Sequence, residues 1–267
     1  MDDRNITGGN RHNSCNQSLF NDIVLGRTEI YDASRLSCWP FCKATDVRDG
    51  ILLTLGNLCK GYPFALNGHT FRTSEAAYLC GEFSDSPSKQ SIQYSLTEEP
   101  NAFLAKKVIK RKNLKYVRQD WEEIRLQWML YVVWRKCGNA DFRDLLLSLP
   151  DDAVIIEDST ANYGATSSVW GAKNKELRQV RRQKKKELCA LYPAMKKKDL
   201  NVLISRECSK ITDVGFFVGE NNMGKILMMC KIALKHHITP PTDYNLLREK
   251  QIYMFGELLT FDKEEAI

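Results

Sequence analysis

A mainly α fold with a few short β-strands is what this sequence predicts, on three observations. Apolar residues recur at spacings of three and four through most of the chain beyond Thr73, the period of an amphipathic helix. Strand-like runs are brief, lying before Gly81 and at Ala153 to Ile156. Helix punctuation brackets the periodic segments, with Thr73, Asn101, Asn139 and Asn222 at starts and Gly138, Pro150 and Pro193 at stops. At 267 residues, 43% apolar and 27% charged, the chain is long enough to bury a sizeable core and is unlike a disordered or fibrous composition.

The elements follow in order. Residues 1–18, rich in Asn, Ser and Gly, read as a mobile tail; 19–239 read as one domain with a basic insertion at 172–218, and 240–267 as a helical extension. Between Asn21 and Gly81 short apolar runs alternate with turn residues, and Asn67-Gly68 between Pro63-Phe64-Ala65-Leu66 and His69-Thr70-Phe71 has the composition of a tight hairpin. Thr73 caps a helix through Phe83, with Glu75 in the first turn where a negative charge suits the macrodipole. Asn101 opens another, whose Phe103, Leu104, Val108 and Ile109 are expected inside and Lys106, Lys107, Lys110 and Arg111 outside. Arg118 to Cys137 is the longest, striped by Trp121, Ile124, Trp128, Tyr131 and Val132 and stopped by Gly138. Asn139 caps a short helix bearing Phe142, Leu145, Leu146 and Leu149.

A strand at Ala153 to Ile156 leads into a polar loop, Asp158 to Gly171, that ends in Val169-Trp170-Gly171. A basic helix from Lys173 to Leu191 stops at Pro193. Asn222 caps the last core helix, with Ile226, Leu227, Cys230, Ala233 and Leu234 inward, and Tyr244 to Leu259 reads as one more helix.

The charge is localised. Residues 171–200 hold eleven Lys or Arg against Glu176, Glu187 and Asp199, a surplus of eight in a chain of net charge +6, so the other 237 residues sum to −2. The segment Lys173 to Lys198 is either a solvated helical surface or a contact for DNA or RNA. An odd count of nine cysteines and an amino-terminal stretch without an apolar core point to reduced thiols and a cytoplasmic protein, and no run reaches the roughly 18 apolar residues that cross a bilayer.

Several chemistries are excluded by their missing residues. Only His12, His69, His236 and His237 are available, and Cys38-x-x-x-Cys42 has no second ligand pair, so no metal site is expected. No G-x-S-x-G supports a serine nucleophile. Gly219-x-x-x-x-Gly224-Lys225 approaches a phosphate loop, but Ile226 stands where the metal-binding hydroxyl belongs. Nothing in the residues calls for a cofactor.

What remains are a carboxylate, aromatics and glycines in four pieces: Phe71-Arg72-Thr73-Ser74-Glu75-Ala76-Ala77-Tyr78, Asp120-Trp121-Glu122-Glu123-Ile124-Arg125, Trp170-Gly171, and Gly219-Glu220-Asn221-Asn222-Met223-Gly224-Lys225-Ile226-Leu227-Met228. In order and approximate spacing, from about Asn57 to His236, they resemble the NADAR (YbiA-like) family. The resemblance implies a compact, mainly α YbiA-like domain and cleavage of an N-glycosidic bond between a ribose-type sugar and a base. It implies as substrate either ADP-ribosylated guanine in nucleic acid or a small phosphoribosyl intermediate of riboflavin synthesis, and as a partner an ADP-ribosyltransferase toxin. A fixed carboxylate suits that chemistry, because breaking the C1′–N bond develops positive charge on the sugar.

By this resemblance Glu75, Lys136 and Asp158 are the candidate catalytic residues, and Asn57, Tyr78, Trp121, Asn162, Trp170, Gly171, Asn222, Gly224 and Lys225 the candidate substrate contacts. Trp121 reads equally as a core residue, and Lys136 equally as a cation complementing its helix's carboxyl end; its sharper role is an amine that captures the opened sugar as a Schiff base. Asn222 and Gly224 would meet sugar or phosphate at a helix N-terminus. Two departures stand out. The family's Asp before Trp-Gly has no counterpart beside Asn162, leaving Glu157 and Asp158 as the nearest acids. And 47 residues separate Gly171 from Gly219, carrying the whole basic surplus. The first departure opens an alternative, a module that binds ADP-ribose or NAD without cleaving it.

Overall fold

The computed structural model describes residues 18–164 and 167–261; all but the last residue of the tail expected at 1–18, and the last residues of the extension, 262–267, lie outside them. Short strands come first: β1 (Glu29–Asp32), β2 (Cys38–Phe41), β3 (Val47–Arg48), β4 (Ile51–Leu52), β5 (Phe64–Leu66) and β6 (His69–Phe71). Then follow α1 (Ser74–Gly81), α2 (Gln90–Glu98) and α3, which begins as Ala102–Leu104 and continues as the π-helical Ala105–Lys110. Next are α4 (Trp121–Lys136), α5 (Ala140–Ser148), β7 (Val154–Glu157), the single turn α6 (Ser167–Trp170) and β8 (Lys173–Asn174). The order closes with α7 (Lys175–Leu191), α8 (Lys197–Ser209), β9 (Phe216–Gly219), α9 (Asn222–His236), α10 (Tyr244–Glu249), β10 (Tyr253–Met254) and β11 (Glu257–Leu258). The protein is mainly α with a few short strands.

The described chain divides into two compact, discontinuous units: one of residues up to Val24, Tyr62–Leu147 and Met229 onward, the other of Leu25–Gly61 and Ser148–Met228.

In the first unit β5 and β6 pair antiparallel around Asn67 and Gly68, both at positive φ (48° and 72°), the type I′ hairpin that this dipeptide favours. The Thr73 side chain accepts a hydrogen bond from the Ala76 N–H, and every residue of α1 is buried. Gly81 is where α4 crosses: a Cβ there would lie 2.6 Å from Trp128 Cδ1, and the Trp128 indole donates to the Ala77 carbonyl at 3.2 Å. The apolar stripe of α4 is buried as its spacing predicts, together with Met129, Leu130, Val133 and Trp134, so the helix is covered on nearly all sides. Gln93 of α2 bridges outward, its amide donating to the Tyr253 carbonyl at 2.8 Å and accepting from the Phe255 N–H at 2.6 Å.

The extension departs from expectation. Its helix ends at Glu249, because Gln251 adopts φ 45°, and Phe255 and Gly256 (54° and 93°) then turn β10 back onto β11 as a hairpin. The region between Phe83 and Asn101 also holds α2, which the periodicity did not reveal; it is preceded by a turn at Pro87–Lys89 capped by Ser86.

In the second unit β1, β9 and β8 form a three-stranded antiparallel sheet, and β2 runs parallel to β7. Behind them Ala33, Cys38, Ile156, Ala172, Leu177 and Phe217 make one buried cluster. The insertion is a pair of packed helices, α7 and α8. Asn174 caps α7 by accepting from the Leu177 N–H at 2.8 Å, and α7 ends two residues short of Pro193. No described helix is long and apolar enough to cross a membrane, and the eight described cysteines are unbridged.

Candidate functional site

The residues singled out by sequence fall into both units. In the first, the fully buried α1 presents two carboxylates seven residues apart, two helical turns on one face: Glu75, 5% exposed, and Glu82 just past its end. The π-helical part of α3 answers with two lysines four apart. Lys106 Nζ lies 2.8 Å from Glu75 Oε1, and Lys110 Nζ lies 2.6 Å from Glu82 Oε1. This overturns the expected orientation of α3. Phe103, Leu104 and Val108 are exposed, while Ala102 and Ala105 are buried, since two buried carboxylates need counter-charges more than three apolar side chains need cover.

The two pairs are not alike. Lys110 donates a hydrogen bond to Glu82, a geometry that Lys106 does not reach at Glu75 Oε1 despite the short distance. Burial pushes the Glu82 carboxyl above its ordinary range and Lys110 opposes that shift. Tyr78, one turn beyond Glu75, packs its ring 5.0 Å from that of Trp121, whose indole bonds the hydroxyl. Burial, with the Glu82 and Glu75 charges behind it, holds that hydroxyl proton far more tightly than in water. Trp121 is therefore a buried core residue packed on Tyr78.

Lys136 ends α4, fifteen residues or about 22 Å of helix from Trp121 at 1.5 Å per residue. It is 1% exposed, its ammonium 4.0 Å from the Phe142 ring centre and 5.3 Å from that of Tyr62.

The second unit gives the remaining candidates structural partners. Asp158 is 5% exposed; its Oδ1 accepts from the Thr160 N–H at 2.9 Å and its Oδ2 sits 2.8 Å from Arg181 Nη1 of α7. Gly171 is buried, and a Cβ there would strike the Glu157 carbonyl and Ser159; one at Gly219 would lie 2.5 Å from the Gly171 carbonyl oxygen. Gly224 faces the Ile155 carbonyl oxygen and the Asn221 amide with no space for a methyl. Each glycine thus has a packing reason. Trp170 is half-buried on α6, Asn162 is exposed, and Asn57 is half-buried.

Asn222 does not cap α9 with its side chain, as was expected; it is helical and fully buried. Its amide donates to the Val169 carbonyl and to Glu220 Oε2, both at 2.8 Å, and its oxygen accepts from the Gly26 N–H at 2.7 Å. Asn221, at φ 50°, precedes it and ties α9 to β7 by accepting from the Glu157 N–H and donating to the Ile155 carbonyl. Lys225, 1% exposed, donates to the Arg27 carbonyl at 2.7 Å and pairs with Glu29 at 2.9 Å.

Sequence reasoning missed Lys106, Glu82, Lys110, Asn221 and Arg181. The first three had a signal, acids spaced by seven and lysines by four in neighbouring helices; Asn221 stood in the 219–228 piece beside the chosen Asn222, and Arg181 acts across a long separation that left no signal. Among the described residues no cluster of three or more His, Cys, Asp or Glu is arranged to hold a metal.

No family model and no curated protein matches the chain. The NMR structure of the E. coli protein YbiA is similar over 51% of this chain and 78% of that one, at 23% identity and a TM-score of 0.39.

Proposed function

We propose that the protein is an N-glycosidase that cleaves a ribosyl–base bond, with ADP-ribose on guanine of a nucleic acid as its substrate. The observation that carries this reading is Glu75: a buried carboxylate held in the first turn of a helix, one oxygen 2.8 Å from the ammonium of the half-exposed Lys106. The attraction between a carboxylate so placed and an adjacent sugar strengthens as the sugar becomes cationic, which is the differential stabilisation that lowers a barrier. Tyr78, one turn along α1, and Trp121 pack ring on ring at 5.0 Å, and in this reading supply the aromatic surface for sugar or base. The motif order and the basic surplus of 171–200 extend the reading to a nucleic-acid substrate.

The test is release of ADP-ribose from an oligonucleotide ADP-ribosylated on guanine, followed by mass spectrometry. Glu75→Gln keeps the shape and removes the charge, and the expected loss of rate is on the order of 10²-fold or more. A Glu75→Gln protein that turns over like the parent sinks the proposal.

One observation favours a second reading, a module that binds ADP-ribose without cleaving it. Asp158, the acid best placed to replace the absent aspartate, is already held by Arg181 and the Thr160 N–H. Saturable binding without released sugar, unchanged in Glu75→Gln, would decide for it.

A further inference from the structure

The face of α7 that looks toward α8 carries Arg178, Arg181, Arg182 and Lys185, the i, i+3, i+4, i+7 spacing of a single helical stripe. Together with Ile204 and Cys208 of α8 and Tyr163 of the polar loop, these four line an open groove of about 570 Å³. Every lining residue belongs to the second unit.

The four cations differ. Arg181 is neutralised by Asp158 and further fixed by donating to the Cys208 and Ile211 carbonyls at 3.1 and 3.0 Å. Arg178 donates to the Thr160 carbonyl, an uncharged partner, and among the described residues no carboxylate pairs with it, so its charge is held in place without a counter-charge there. Arg182 and Lys185 are exposed, and among the described residues no carboxylate pairs with either. Three uncompensated positive charges therefore border one groove. Above them Tyr163 is 86% exposed, with the Arg178 guanidinium 5.1 Å from its ring centre. An arginine stacked on one face of an otherwise open phenol ring steadies the ring and leaves the other face free. A solvated helix surface needs neither the aromatic nor the anchored arginine.

We propose that this groove binds a single strand of nucleic acid, with phosphates along Arg178, Arg182 and Lys185 and an unpaired base stacked on Tyr163. Base stacking on an exposed ring requires a base outside a duplex, which is why the strand is single. The inference concerns unmodified nucleic acid and does not depend on the glycosidase reading.

The test is fluorescence anisotropy of the full chain with a labelled, unmodified 12-nucleotide oligothymidine, read against salt. Neutralising three phosphates of a single strand gives a slope near 0.7 per contact, so affinity is expected to fall about 20-fold between 50 and 200 mM salt. Arg182→Gln combined with Lys185→Gln removes two contacts and should flatten that to about threefold. Tyr163→Ala should weaken binding about fivefold or more at fixed salt, and Tyr163→Phe should restore it. All three positions are exposed, and circular dichroism of each variant verifies the fold. A duplex of the same length should bind more weakly and show no Tyr163 dependence. A salt slope unchanged in the double variant, or a duplex or heparin bound as tightly as the oligothymidine with Tyr163 irrelevant to all, would overturn the proposal; release of ADP-ribose from a modified oligonucleotide, and its loss in Glu75→Gln, are read separately.

Discussion

Gly224→Ala separates a packing glycine from one reserved for a ligand, and the two roles predict opposite results. Position 224 lies in the first turn of α9, where alanine is ordinarily worth about 1 kcal/mol over glycine in a helix. Here the added Cβ would stand well under 3.0 Å from the Ile155 carbonyl oxygen of β7 and 2.5 Å from Asn221 Nδ2. Relief requires moving the helix start away from the strand. That movement strains the two hydrogen bonds by which Asn221 holds them together, 3.0 Å from the Glu157 N–H and 2.8 Å to the Ile155 carbonyl. Each is worth about 1 kcal/mol net, and overpacking a close contact adds about 1 to 3 kcal/mol. Set against the propensity gain, the expected net loss is about 2 to 4 kcal/mol. Urea unfolding followed by tryptophan fluorescence measures it, with Gly164→Ala as the control, since a Cβ there meets nothing within 4 Å and should change stability by under about 0.5 kcal/mol. A Gly224→Ala protein as stable as the parent that has lost its ligand would refute the packing argument and return Gly224 to the binding site.

Gly81→Ala should likewise destabilise, by about 2 to 3 kcal/mol, because its Cβ runs into the Trp128 indole whose N–H is already committed to the Ala77 carbonyl; a thermal melt at unchanged Tm would contradict it. Glu82 gives a pH signature. Its folded carboxyl is raised above the ordinary value of 4.5, so between the two values the native state holds more proton than the unfolded chain. Its contribution is thus fully present at lower pH and lost as pH rises through the raised value, and Glu82→Gln should remove that part of the slope. Identical stability–pH curves for the variant and the parent would show that burial does not govern this carboxyl.

The fold was legible wherever local chemistry decides it. Asn67-Gly68 can take positive φ twice and so names its hairpin, Thr73 has an oxygen at capping distance from a free N–H, and the stripe on α4 is long enough to leave no rival period. It failed where a distant partner decides. The apolar positions of α3 pointed one way, and the two carboxylates of α1, over 20 residues earlier, turned the helix the other. The extension reads as helix through Leu259 until the left-handed Gln251 ends it, and no residue type announces a positive φ at glutamine. The site was legible as a set of residue types and less so as roles. The glycines, asparagines and lysine of the α9 motif are spaced as a ligand loop would be, and in the structure the asparagines bond β7 and the Gly26 N–H, Lys225 bonds the Arg27 carbonyl, and Gly224 packs against β7.

The two departures from the resembled pattern, an absent aspartate and a long insertion, meet at Asp158. The insertion's first helix delivers Arg181 to the carboxylate at 2.8 Å and Arg178 to the Thr160 carbonyl two residues on, so the segment that lengthens the loop also immobilises its acid. Both oxygens of the carboxylate are thereby engaged, Oδ2 by the Arg181 guanidinium and Oδ1 by the Thr160 N–H. If the chemistry rests on Glu75 alone, Asp158→Asn should leave the rate of ADP-ribose release within about threefold of the parent. It should cost stability of about 1 to 3 kcal/mol, because a neutral amide leaves the partly buried Arg181 without its counter-charge. The converse result, a stable Asp158→Asn protein whose turnover falls 10²-fold, would make Asp158 the second acid and its pairing with Arg181 a resting arrangement that substrate must break.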